Sequence, residues 1–267
     1  MELNNKEIGV GATKELNLRV SVASLVRVLI EHPENTKKLV VLERTATVHK
    51  MNGKSNVVVK AKPFGGGARI INPEKLEKLI GPFNYDSERS GKEKDFRILI
   101  QPESWDKIKQ FCEDSPIEKG NEILDASPDR ELSEEFKDCL NLTINPDQYS
   151  LKPLGMIIDD QPVKTESVRA YGFPTVRIYY TFEARIKDQE LIRTMLTNSV
   201  QYTDDDLRKM ALEDAHNGGK GRANAALSLE LEVLKNIYAS DISGKHNKKI
   251  NVEDHQLDGN VYAIFID

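Results

Sequence analysis

The stretch from Val176 to Lys187 alternates without a break, and alternation over that length dictates a β-strand. Val176, Ile178, Tyr180, Phe182, Ala184 and Ile186 share one phase, and Arg177, Tyr179, Thr181, Glu183, Arg185 and Lys187 share the other. Successive side chains on a strand point to opposite faces, so the apolar phase needs a covering layer. The polar phase is either solvated or lines a site. Glu183 could supply a carboxylate there, but one acid among basic neighbours by default forms a cross-strand pair. Two further β-rich runs, Leu39 to His49 and Val57 to Ala61, are joined by a turn containing Asn52-Gly53. Both central residues of a type I′ turn need positive φ, which makes Asn-Gly a strong hairpin signal.

Helical spacing marks other segments. Val22, Leu25, Val26, Leu29 and Ile30 predict an amphipathic helix from Ser21 to His32, stopped by Pro33. Short helical patterns run from Pro73 to Ile80 and from Ser104 to Cys112, the latter with Trp105, Ile108 and Phe111 on one side. Trp105, the only tryptophan, is assigned to the core rather than to base stacking. Phe96 to Ile100 and Leu154 to Ile158 read as strands; Asp86 to Lys94 and Asp159 to Arg169 read as polar loops, the first with a lid as its alternative. Asp188 to Ala215 predicts two short helices, with Thr203-Asp204 starting the second. Gly218 to Ala225 is read as opening a helix whose stripe is Leu227, Leu231, Leu234 and Tyr238. Its glycines, Lys220 and Arg222 suit an anion chemically, but the spacing is not that of a P-loop, so a structural cap is the default. Val261 to Ile266 predicts a closing strand.

A chain of 267 residues can bury one sizeable core, or one core and a smaller appendage. With 39% hydrophobic and 30% charged residues it has the composition of an ordinary soluble protein. A net charge of −5 argues against broad nucleic-acid binding, although a local basic patch is invisible in that sum. Cys112 and Cys139 are too few for a disulfide scaffold, which favours a reducing cytoplasm, and no histidine pairs with a cysteine at zinc-ligand spacing. No apolar run approaches a membrane span, and the N-terminal residues lack a secretion pattern.

The chemistry is concentrated between Glu122 and Leu140. Ser127 is a good N-cap, Pro128 fits the first helical position, and Asp129 suits the positive end of the helix dipole. Leu132, Phe136, Cys139 and Leu140 define a buried stripe, while Glu131, Glu134, Glu135 and Asp138 occupy another arc. Glutamates at i, i+3 and i+4 repel one another, and a divalent cation is the obvious counter-charge. Most acidic helix faces are simply solvated. The spacing here is more particular: Glu122, seven residues, Arg130-Glu131-Leu132, one residue, then Glu134-Glu135. That pattern resembles the signature of the Nudix hydrolases. Pro116 stands where the family has a glycine, and so does Lys137, which implies a helix that runs on toward Asn141.

The family carries a glycine pair at the end of a strand just before its helix. Here Gly65-Gly66-Gly67 follows the second hairpin strand but comes far ahead of Glu122, so the resemblance implies a signature split by an insertion at about 70–120. It implies an α/β fold, a Nudix-like α/β/α sandwich with a mixed central sheet, with the insert as an α+β segment and extra C-terminal helices. The corresponding units are an N-terminal arm and helix (1–35), a Nudix-like domain (36–240) and a C-terminal linker and strand (241–267). The implied activity is Mg2+-dependent hydrolysis, with Mn2+ as an alternative ion, of a nucleoside diphosphate linked to another moiety. The implied metal ligands are Glu122, Glu131, Glu134 and Glu135; Glu131 and Glu134 are also assigned to catalysis, with Arg130 orienting carboxylates. Gly65, Gly66, Lys62, Arg69 and Arg177 are the substrate-contact candidates. A small-molecule nucleotide is the expected partner, and a homodimer is compatible with the pattern. The competing reading is a Nudix-like nucleotide sensor with little turnover.

Overall fold

The computed structural model describes residues 16–51, 54–114, 121–164, 172–239 and 250–265. Most of the N-terminal arm, the Asn52-Gly53 turn, Pro116, the end of the 159–169 loop and most of the C-terminal linker lie outside them. The architecture is α/β, with an eleven-stranded mixed sheet and seven α-helices among the described residues. None of those helices is long and apolar enough to cross a membrane.

The sheet is built around β1 (Leu18–Glu31), where the sequence predicted a helix. The segment Leu18 to Ile30 is apolar in both phases: Val20, Val22, Val26, Val28 and Ile30 enter one core, and Ala23, Leu25 and Leu29 enter another. A strand covered on both faces reads as a nearly continuous apolar run, and such a run matches helical spacing equally well. One edge of β1 pairs in parallel with β10; the other pairs in succession with β7, β4 and β2.

The hairpin is present as β2 (Lys38–Met51) against β3 (Lys54–Lys62). After Pro63 the chain continues as β4 (Phe64–Gly67), so the triple glycine is a strand rather than a turn. Gly65 has φ +139°, and a Cβ there would overlap Ser24 O on β1. That close approach is what the missing side chain permits. Next, β5 (Arg69–Ile70) pairs with β8 (Leu124–Asp125) as a separate two-stranded ribbon. Ile71 N also donates to Ile123 O at 2.7 Å, so residues 71–123 leave and return at one point.

Within that excursion lie α1 (Pro73–Ile80), β6 (Phe83–Tyr85), α2 (Glu88–Glu93), β7 (Arg97–Ile100) and α3 (Trp105–Asp114). The polar stretch expected as a loop contains α2. Ser87 caps it, Arg89–Glu93 and Lys92–Glu88 pair across a turn, and Lys94 ends it in the left-handed conformation. Trp105 is 8% exposed and sits in the core with Ile108 and Cys112, its Nε1 donating to Asp160 Oδ1 at 2.6 Å.

After α4 (Pro128–Leu140) comes β9 (Tyr149–Lys164), which runs through the first part of the expected 159–169 loop. It pairs with β10 (Pro174–Ile186), whose apolar phase enters the core as the alternation requires. Glu183 stands directly opposite Arg27, and its Oε2 accepts from Arg27 Nη2 at 2.8 Å. The two predicted helices are α5 (Gln189–Gln201) and α6 (Asp204–His216), the second capped by Thr203. The Gly218 segment does not open a helix. Asp214 Oδ2 accepts from Gly221 N at 2.8 Å and from Arg222 N at 3.3 Å, and this turn delivers β11 (Arg222–Glu230) onto β2. Helix α7 (Leu231–Ala239) starts only afterwards. The described C-terminal residues form β12 (Ile250–Val252), β13 (His255–Leu257) and a 3-10 turn at Val261–Phe265 in place of the expected strand. That turn is wholly buried, held by Arg27 Nη1 on Ile264 O at 2.9 Å and by Phe265 stacked on Tyr238.

Helices cover both faces. Apolar residues of α1, α3, α4 and α5 share the larger core, whereas α7 and the 3-10 turn pack on the opposite face. Helix α6 closes a third cluster with Ala46, Val59, Ala223 and Ala225.

Candidate active site

Helix α4 lies against β4, β1 and β11, with Leu132, Phe136 and Cys139 buried beneath it. Ser127 caps its first turn, and it runs to Leu140 with Asn141 in the left-handed cap, the extension that Lys137 implies. The acidic residues on it and around it separate into two clusters, with Glu122 apart from both.

The first cluster is at the N-terminal half of the helix. Glu131 is 3% exposed and packs on β4, where Gly66 leaves room for its carboxylate. Arg130 holds the cluster together: Nε reaches Asp125 Oδ2 at 3.1 Å, Nη2 donates to Gly67 O at 3.3 Å, and Nη1 lies 2.6 Å from Glu131 Oε1. The same Nη1 is 3.5 Å from Glu134 Oε2, while Arg69 Nη2 pairs with Glu134 Oε1 at 2.8 Å. Burial pushes the Glu131 carboxyl up to about 7; Arg130 opposes the rise and Glu134 adds to it.

The second cluster lies one helical turn on. Glu43 of β2 is fully buried, with Lys62 Nζ at 2.8 Å, Arg222 Nη2 at 3.5 Å and the Thr45 hydroxyl donating at 2.7 Å. Glu135 approaches the same Lys62 at 3.8 Å, with the Glu43 carboxylate as its neighbour. Burial raises the Glu135 carboxyl, and Glu43 adds to that; Lys62 opposes it. For Glu43 burial also acts upward, but Lys62, Glu135 and Thr45 together hold it below the ordinary range.

The structure thus joins Gly66, Arg69, Arg130, Glu131 and Glu134, and joins Lys62 to Glu135. Gly65 is spent on the approach to β1. Glu122 stands apart, exposed and paired with Lys75 of α1 at 2.5 Å. Arg177 is on the other face of the sheet, beside Asp159 at 3.8 Å and among Tyr179 and Tyr262. Strand phase places it there, since Arg177 belongs to the phase opposite Ile178 and Tyr180, which enter the core that α4 shares. Sequence reasoning missed Glu43, Asp125 and the Arg222–Glu43 contact. Glu43 carried a usable signal: it is in phase with Leu39 and Val41, so an acid occupies an inward-facing strand position.

Mg2+ takes hard oxygen donors and is usually held by one or two carboxylates, with waters and substrate phosphates completing the octahedron. Among the described residues no three His, Cys, Asp or Glu side chains converge on one point. Two do converge, Glu131 and Glu134, both on Arg130 Nη1. Glu131 Oε1 is buried without a hydrogen bond among the described residues, its contact with Arg130 being ionic. The point they share is held by the Arg130 guanidinium; Glu122 does not join the pair, and Glu135 lies beside Lys62 instead.

No family model matches the chain, and no curated protein matches it.

Proposed function

We propose that this chain hydrolyses a phosphoanhydride in a nucleoside diphosphate linked to another moiety, with Mg2+ (or Mn2+) held by Glu131 and Glu134 in a Nudix-like α/β/α sandwich. The observation that carries this reading is the meeting of Gly66 and Glu131, with Arg130 tied to both strand and helix. It supports a Nudix signature interrupted by an insert, as do the paired ends of that insert in β5 and β8. A bound divalent ion supplies charge neutralisation at the phosphates and a more acidic water. The chain supplies the remainder: Arg130 orients Glu131, and Arg69 stands beside Glu134, where it can meet a phosphate oxygen.

A second reading, nucleotide recognition with little turnover, is favoured by one observation. The acids already have cations from the chain itself, Arg69 on Glu134 and Lys62 between Glu43 and Glu135. A Mg2+-dependent screen over nucleoside triphosphates, nucleotide sugars, ADP-ribose and dinucleotides separates the two. Hydrolysis abolished in folded Glu134→Gln and Glu131→Gln supports the enzyme; full activity in those variants refutes the assigned metal site. A substrate that binds tightly and is not turned over supports the sensor.

A further inference from the structure

The sheet face that carries α4 continues beyond the helix. Asn224 Nδ2 donates to Asp138 O at 3.4 Å, which marks where the last turn of α4 passes over β11. Past that point β3, β2 and β11 form a polar grid. Val58, Thr47 and Arg222 are register partners in one row, Lys60, Thr45 and Asn224 in the next, and Lys62, Glu43 and Ala226 in the third. The reverse side of the same strands carries Ala46, Val59, Ala223 and Ala225, sealed by Leu207 and Ala211 of α6, beside the buried Arg44. One face here is packed, and the other is polar and open.

A cleft of about 220 Å3 lies over the grid, and its lining includes Thr45, Thr47, Lys60, Lys62, Arg222 and the acid Asp258. Lys60, Lys62 and Arg222 are cations on neighbouring strands of one face, an arrangement that is repulsive unless matched. Three acids answer them: Asp258, 3.4 Å from Lys60; Glu43, shared by Lys62 and Arg222 beneath the cleft; and Glu135, 3.8 Å from Lys62. The three cationic side chains keep 34%, 28% and 34% of their surface exposed, so donors remain available to a ligand. Pockets for complete drug-sized ligands run to about 300–1,000 Å3, so this one takes a group the size of one or two phosphates.

We infer that this cleft is a phosphate site, in which Lys60, Lys62 and Arg222 hold the mono- or diphosphate portion of an anionic ligand. That the ligand is a nucleotide rests on the hydrolase reading; that the cleft selects phosphate does not. Lys62 touches both the cleft and Glu135, so the bound anion would lie one side chain away from the acidic helix.

Calorimetric titration of the full chain in EDTA tests the site without turnover, using inorganic phosphate, pyrophosphate, ADP and adenosine as probes. The expected result is salt-dependent binding of pyrophosphate and ADP and none of adenosine. Lys60→Ala and Arg222→Gln should each weaken pyrophosphate about tenfold or more, the usual scale for a hydrogen bond to a charged group. Lys60→Arg should retain affinity, and Arg89→Ala on α2 should leave it unchanged. Pyrophosphate and ADP binding equally identifies a site that reads phosphate alone, and tighter ADP identifies a nucleotide phosphate site; either supports the inference. It is overturned if pyrophosphate fails to bind, or if the folded Lys60→Ala/Arg222→Gln protein binds it as well as the parent. Glu134→Gln should lose hydrolysis yet keep anion binding, so the cleft and the hydrolase reading fail separately.

Discussion

Gly66 and Glu131, far apart in the chain, are packed so closely that a methyl group on Gly66 would run into the Glu131 carboxylate and lie 3.1 Å from its Cδ. The glycine is required by what sits opposite it. A buried acid can lie flat on β4 only because that strand has no side chain at this point.

Gly66→Ala should therefore cost about 1–3 kcal/mol, the usual scale for overpacking. The carboxylate would have to move, and its contact with Arg130 would move with it. Urea unfolding checks the stability, and the same variant should lose most hydrolytic activity. Wild-type stability together with wild-type activity would contradict the packing described.

The pH dependence follows from Glu131. Its carboxyl is raised in the folded chain from an ordinary 4.5 to about 7, so between those values the native state binds the extra proton. Stability should accordingly fall as pH rises across that window and level off above it. At about 1.4 kcal/mol per pH unit the ceiling is about 3 kcal/mol, and relaxation of the site would reduce it. Glu131→Gln should flatten this limb. Denaturant midpoints measured across the window test both, and a Glu131→Gln curve parallel to the parent would refute the assignment.

Arg130→Ala should be the most damaging single change at the site. It strips Asp125, Gly67 O and Glu131 of their shared partner and leaves a buried acid without its cation. Breaking a buried pair from one side costs about 3–5 kcal/mol. Arg130→Lys should recover only part of this, since an ammonium cannot reproduce the three directions of the guanidinium fork. Thermal melts of the two variants, compared with Arg69→Ala at the exposed pair with Glu134, order the effects.

Replacing residues 71–123 by a short loop should abolish folding, although β5 and β8 bring the ends together. The excursion supplies β7, which pairs with the central strand, and it supplies Leu76, Ile80, Ile98, Ile100 and Ile108 to the main core. Tyr180 OH also donates to Cys112 O at 3.1 Å. A deletion protein with native-like near-ultraviolet dichroism would overturn this.

The elements legible from sequence were those that local chemistry specifies. Ser127 and Pro128 start α4, and Asn141 ends it; Thr203 starts α6; the alternation from Val176 and the paired runs around Asn52-Gly53 give β10 and the hairpin. The cross-strand partner expected for Glu183 is Arg27. The misread elements are those whose state depends on what covers them. Leu18–Glu31 is a strand because cores form on both of its faces, and Val261–Phe265 coils because it fills the space beneath Arg27 and Tyr238. Neither covering layer is encoded within the segment itself.

The same division holds at the site. By itself the sequence determined the spacing of Arg130, Glu131, Glu134 and Glu135, because helical periodicity converts spacing directly into a shared face. Only the tertiary structure decided how those acids are partnered. It set Glu131 on Gly66, drew Glu135 to a buried Glu43, left Glu122 with Lys75, and put Arg177 behind the sheet. Burial and the placement of a counter-charge are long-range quantities, fixed by which strand passes beneath a residue. That strand is chosen by the packing of the whole chain.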